Sequence, residues 1–157
     1  MAACPSSPAA EPAHSVNFGV AIPFVDHLGF ELMLFDAGES EIIYALKPEH
    51  LNSFGVAHGG ATMTLMDVAM AVAARSVQKD MGVVTIEMKT SFILPARGKL
   101  TAKGHLIQRT KTLAFVEARV MDVQGRLCAH STGTFKYVRR VEAKPGADAD
   151  TGVIATD

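Results

Sequence analysis

From Val83 onward the chain alternates between apolar and polar positions. In VVTIEMKTSFIL, Val84, Ile86, Met88, Phe92 and Leu94 fall on one side and Thr85, Glu87, Lys89 and Ser91 on the other, which is the period of a half-buried strand. Pro95-Ala96-Arg97-Gly98 has the chemistry of a turn. LTAKGHLIQ then reads as a strand, Arg109-Thr110-Lys111 as a turn and TLAFVEARVMD as a strand. Val123-Gln124-Gly125 is a hairpin turn, and RLCAHSTGTFKYV the last strand. Upstream, FELMLFDAGESEIIYAL holds two strand-like runs around Asp36-Ala37-Gly38-Glu39-Ser40, whose turn residues predict a hairpin. A short helical turn near residues 22–27 precedes it and is stopped by Gly29. Pro48 ends the second strand, because proline cannot donate to a ladder.

Between the hairpin and the four strands, residues 59–77 break this period. GGATMTLMDVAMAVAARSV is rich in Ala, Met and Leu, which favour helix, and it is apolar nearly all round, which predicts a buried helix. Gly82 is expected in the loop that follows. A hairpin, one long helix and four strands are most economically arranged as an α+β fold, a sheet with a single buried helix on one face.

A length of 157 residues suits one domain, and a hydrophobic content of 48% is enough to give it a real core. The formal net charge of −1 offers no electrostatic basis for a nucleic acid or a membrane surface as the main partner. Residues 1–15, rich in Pro, Ala and Ser, read as a disordered leader. Residues 16–141 read as the folded domain and 142–157 as a flexible tail. The start has neither the basic nor the apolar region of a signal peptide. Ala61 to Ala74, the most apolar run, is short of the roughly 20 residues that span a bilayer. Cys4 and Cys128 make no disulfide framework, so a reducing, cytoplasmic setting is expected.

The candidate chemistry lies in NSFGVAHGGATMTLMD, residues 52–67. Asp67 puts a carboxylate in an apolar helix. It either reaches solvent or a cation at an edge, or it is buried, which would raise its pKa toward general-base chemistry near neutral pH. Gly59 and Gly60 suit a helix start, where free N–H groups and the dipole favour an oxyanion; taken alone, they read better as a tight turn without a ligand, because glycine-rich turns are common. Asn52 has a donor for a carbonyl or water, and it also has the ordinary use of holding its own turn. His58 could act as acid or base, although a structural loop histidine is the preferred reading. Gly59 and Asp67 are separated by roughly 12 Å of helix. If both serve one reaction, Asp67 of one chain must face Gly59 of another, as in an isologous dimer. Met63, Met66, Met70 and Phe54 are candidates to line an adaptable pocket, although residues at helical spacing are more often plain core. No serine-nucleophile elbow, phosphate-binding loop or zinc spacing is present in the sequence, so no metal or other cofactor is expected.

Asn52-x-x-Gly55-x-x-His58-Gly59-Gly60 followed by Asp67 resembles the hotdog-fold acyl-CoA thioesterases of the phenylacetate-pathway (PaaI-like) type. The resemblance covers about residues 20–140. It implies an antiparallel sheet wrapped around one long buried helix, and hydrolysis of an aryl- or medium-chain acyl-CoA to a free acid and coenzyme A. It further implies that Asp67 activates water or, as the alternative, attacks the carbonyl directly, that Gly59 N–H polarises the thioester carbonyl, that Asn52 orients carbonyl and nucleophile and that Thr85 helps hold the water. Coenzyme A would run along Phe92, Leu94, Pro95, Ala96 and Arg97 and along Arg109, Thr110, Lys111 and Thr112. Arg97, Arg109 and Lys111 are the natural phosphate partners in that case. The resemblance implies at least a homodimer, and a dimer of dimers (homotetramer) as the expected assembly. Two other readings stand beside it: a hotdog dehydratase or hydratase, and a non-catalytic acyl-CoA binding module.

Overall fold

The computed structural model describes residues 15–139. The expected leader, apart from Ser15, and the expected tail lie outside the described residues. The elements follow the order read from the pattern. They are α1 (Pro23–Leu28), β1 (Phe30–Asp36), β2 (Glu39–Ala45), a 3-10 turn (Pro48–His50), α2 (Gly59–Ser76), β3 (Met81–Phe92), β4 (Lys99–Arg109), β5 (Leu113–Met121) and β6 (Leu127–Arg139). All pairings are antiparallel, and the sheet runs β1-β2-β4-β5-β6-β3. The sheet wraps α2, giving the hotdog arrangement, and β3 is left on one edge.

Local chemistry sets the boundaries. Gly29 ends α1 in the left-handed region at φ 73°. The β1–β2 hairpin turns on two residues, Ala37 at φ 49° and Gly38 at φ 86°, and positive φ at both positions matches the twist of the flanking strands. Pro48 opens the 3-10 turn rather than extending β2.

The helix lies unusually close to the sheet. A side chain on Gly104 of β4 would meet the Ala69 carbonyl oxygen at 2.4 Å and Ser40 Oγ at 2.6 Å. The absent Cβ lets Ser40 Oγ donate to Ala69 O at 2.7 Å. At the far end Tyr137 OH donates to Ala74 O at 2.9 Å, and Gly38 N donates to Ser76 Oγ at 2.7 Å. Leu65, Met66, Ala69, Met70, Ala73 and Ala74 are fully buried along this seam.

Two expectations about β3 need correction. Gly82 is not in a loop; it pairs with Val138 inside the ladder. The alternation also does not run unbroken, because a bulge lies between Thr85 and Glu87, with Ile86 as the extra residue. Thr85 lies opposite buried Phe135, Met88 opposite Gly133 and Thr90 opposite buried Ser131. Thr85, Met88, Thr90 and Phe92 therefore all face the helix, whereas Glu87, Lys89 and Ser91 face outward. A strict two-residue period cannot register one extra residue, which inverts every position on one side of it.

Replacing Gly104 by Ala is expected to lower stability by about 1–3 kcal/mol, because the new methyl meets backbone atoms and not a flexible side-chain end. Urea unfolding should show a lower midpoint with an unchanged slope.

Candidate active site

Immediately before Asn52, the first residue of the motif, the chain is fixed by a bridge between Leu51 and Ala57. Asn52 N donates to Val56 O at 2.9 Å and Gly55 N to Asn52 O at 3.0 Å. The Asn52 side-chain oxygen accepts from Phe54 N at 2.9 Å and from Val56 N at 3.4 Å. Of the two uses considered for Asn52, the structure shows the turn-holding one. Its Oδ1 is tied to its own turn, and this orients the Nδ2 donor. Arg97 Nη1 donates to Gly55 O at 2.8 Å, and Ala57 N to Ala96 O at 2.9 Å, so the loop is held against the segment after β3.

His58 is the N-cap of α2, and its Nδ1 accepts from Gly60 N at 3.0 Å. A ring nitrogen that accepts carries no proton, so this imidazole is committed to the cap. Gly60 N–H is consumed, and Gly59 N–H remains at the positive end of the helix dipole. The Phe92 ring stands where a side chain on Gly59 would touch it at 3.4 Å.

A cavity of about 560 Å³ opens between this loop, the helix start and residues 92–97. Of the residues singled out in the sequence, Asn52, Gly59, Phe92, Leu94, Pro95, Ala96 and Arg97 line it. Phe54 also lines it and is 82% exposed at the loop tip. Met66 and Met70 do not; both are fully buried core. Ile93, Thr62 and Cys128 line it without having been expected there. Ile93 lies just past the end of β3, where alternation no longer holds: Ile93 N and Leu94 N both donate to Cys128 O, and Phe92, Ile93 and Leu94 all reach the cavity. Burial, and then the charge of Asp122, push the Cys128 thiol up, so it meets the cavity as a small apolar surface.

The second group of coenzyme A candidates is elsewhere. Arg109 Nη1 donates to Gln78 Oε1 at 2.9 Å, just past the end of α2. Thr110 Oγ1 accepts from Thr112 N at 3.2 Å and Leu113 N at 2.9 Å, closing the turn that carries Lys111. An 18-residue helix is about 27 Å long. One chain therefore does not bring Arg109–Thr112 together with the cavity at the other end of α2.

Asp67 is half-buried in the middle of α2, and Thr85 Oγ1 donates to its Oδ1 at 2.7 Å. The bulge in β3 puts that hydroxyl on the helix side. Burial pushes the Asp67 carboxyl above the usual carboxylate range, and the Thr85 hydrogen bond partly opposes this. Asp67 does not line the cavity that holds Gly59.

A carboxyl raised in the folded state favours folding below its unfolded pKa, and that contribution is lost as pH rises through the folded value. Asp67→Asn, which does not titrate, is therefore expected to raise Tm by a few degrees at pH 7–8. The gain should shrink as pH falls through the raised pKa toward the ordinary carboxylate range of about 4. A gain that instead widened on acidification would mean that the surroundings favour the carboxylate.

Comparison with known proteins gives one consistent result. The model of the Thioesterase superfamily matches residues 54–129, which take in His58, Gly59, Asp67, Thr85 and both expected coenzyme A segments. A Saccharolobus solfataricus protein named as an esterase is 30% identical over 119 residues, covering 74% of this chain and 85% of its own. Mouse acyl-coenzyme A thioesterase 13 is 27% identical over 118 residues, covering 72% and 84%. The structure of a mutant of the phenylacetic acid degradation protein PaaI from Thermus thermophilus superposes with a TM-score of 0.68. It is 25% identical and covers 73% of this chain and 98% of its own. The chain belongs to the Thioesterase superfamily and is a thioester hydrolase of the hotdog fold.

Proposed function

We propose that this protein hydrolyses an aryl- or medium-chain acyl-CoA to the free acid and coenzyme A. The observation that carries this reading is Asp67, a half-buried carboxylate of raised pKa aligned by the Thr85 hydroxyl. It lies on the same helix whose first residue, Gly59, offers its N–H to an apolar cavity. Acyl-CoA is the substrate in the name of the mouse relative, and the aryl option is in keeping with the PaaI neighbour.

In this reading the thioester carbonyl is held by Gly59 N–H, with Asn52 Nδ2 as second donor. Asp67 takes a proton from water, and Thr85 keeps the carboxylate and the water in line. The water oxygen bonds to the carbonyl carbon, and the oxyanion develops against Gly59 N–H and the helix dipole. The C–S bond then breaks, and the departing sulfur takes up the proton to leave as the free thiol. No cofactor is required beyond the coenzyme A of the substrate. His58 serves as the cap that leaves Gly59 N–H available, and a histidine so engaged does not suit the dehydratase alternative.

Because Gly59 and Asp67 of one chain are roughly 12 Å apart, the site forms between two protomers. Asp67 and Thr85 come from one and Gly59 and Asn52 from the other, with a dimer of dimers as the full assembly. Arg97 lies at the cavity and Arg109 and Lys111 at the opposite end of α2. They can therefore reach one coenzyme A only if they belong to different protomers.

Asp67→Asn is expected to reduce thiol release from acyl-CoA by about 10²- to 10⁴-fold, the usual range for losing a general base, with circular dichroism unchanged. Mixing refolded Asp67→Asn and Asn52→Ala chains tests the shared site. A random mixture of dimers should regain about a quarter of wild-type activity, since half are mixed and each mixed dimer has one intact site. Activity no higher than that of the separate variants would exclude a site shared in this way.

A further inference from the structure

His50 is no part of the residues that the motif singled out, yet it lies at the junction of both proposed carbonyl donors. It closes the 3-10 turn Pro48–His50 and is only 5% exposed. Its N–H donates to Lys47 O at 2.9 Å, and its carbonyl accepts from His58 N at 2.9 Å. Its side chain reaches back, with Nδ1 accepting from Lys47 N at 3.2 Å. The contact between His50 O and His58 N is the base of the loop that the Leu51–Ala57 bridge closes. Asn52 lies two residues beyond one side of that base, and Gly59 is the next residue on the other. The separation of the Asn52 amide from Gly59 N–H is therefore set where His50 holds His58.

The imidazole is a costly way to fill this space. Since Nδ1 accepts, Nε2 carries the proton, and it is buried with no hydrogen-bond partner; the Tyr44 hydroxyl is likewise unpartnered. The two rings pack at 5.4 Å, tilted by 35°, and Tyr44 in turn meets Phe30 edge-on at 4.8 Å. A phenylalanine at position 50 would keep the ring contact with Tyr44 and leave no buried donor orphaned. What it would lack is an acceptor for Lys47 N–H.

We infer that His50 is a positioning residue: its Nδ1 pins Lys47, the pinned turn holds His58, and the pair keeps Asn52 and Gly59 in register for the thioester carbonyl. This rests on the reading that those two groups hold the carbonyl. It assigns a job to a buried histidine that touches neither substrate nor the reacting atoms. Its signature is that an acceptor at the Nδ1 position matters more than the ring.

His50→Phe keeps the ring and removes the acceptor. His50→Asn removes the ring and restores an acceptor, because Asn Oδ1 falls where His Nδ1 stood. Thiol release from an acyl-CoA is measured for both, with amide hydrogen exchange at His58 and Gly59 and thermal unfolding alongside. His50→Phe should lower kcat by about 10- to 100-fold, the scale expected for a small misplacement of a carbonyl donor, with KM within about threefold. It should also speed His58 exchange about tenfold or more without lowering Tm. His50→Asn should recover kcat to within about threefold and restore the protection, even if its Tm is the lower of the two. A purely packing role predicts the reverse order, with Phe better than Asn in every measurement, and that order overturns the inference. So does a His50→Phe protein with wild-type kcat and exchange. If wild-type protein releases no thiol from any acyl-CoA, the proposed reaction is what fails, and the exchange measurements still decide whether His50 holds the loop. Should His50→Phe not fold, His50→Leu gives the same comparison with Asn.

Discussion

The close seating of α2 on the sheet is the constraint from which the site follows. A helix normally keeps its distance from a sheet because side chains stand between the backbones. Here Gly104 leaves the space open, and Ser40 uses it to bond Ala69 O. The helix is held by its own carbonyls at Ala69 and Ala74, so neither its depth nor its rotation is left to apolar contact alone. Apolar packing is non-directional and tolerates small rotations; a hydrogen bond does not. With the rotation fixed, Asp67 is turned toward the edge strand β3, where it stays half-buried and meets the Thr85 hydroxyl.

The bulge in β3 solves the complementary problem on the other side. The face of β3 toward the helix must supply apolar cover at Met88 and Phe92 and a hydroxyl to Asp67. In a regular strand Thr85 and Met88 lie on opposite faces. One extra residue at Ile86 puts them on the same face. The polar contact and the apolar cover are thereby combined on a single strand without burying an unpaired group.

Most of the fold was legible because its elements have strong and different periods. The alternating strands, the apolar run of residues 59–77 and the turn residues at Asp36–Ser40 and Val123–Gly125 mark their own ends. The bulge at Ile86 was not legible, since VVTIEM reads as unbroken alternation and the irregularity comes from pairing with β6. The motif stretch pointed to Asn52, His58, Gly59 and Asp67. It could not show that His58 spends its ring on Gly60, or that the Asn52 side-chain oxygen is taken up by its own loop. The two runs of coenzyme A candidates look equally suitable along the chain, and only the length of α2 separates them. His50 escaped notice because it follows an ordinary Pro-Glu turn and belongs to no spaced motif; its importance lies in what its backbone holds across the loop.

The tie between Arg97 and the loop has one property that bears on how such a protein diversifies. Its acceptor is the carbonyl of Gly55, and the other ties within the loop run between backbone groups or to the Asn52 side chain. Ser53, Phe54 and Val56 hold none of these bonds through their side chains. Their side chains are free to drift while the frame that carries Gly59 stays where it is. Mutation can thus enlarge, narrow or reshape the mouth of the cavity at Phe54 and Val56 one residue at a time, with no need for compensating changes elsewhere. Descendants of one sequence can acquire cavity mouths of different shape around an unchanged helix start.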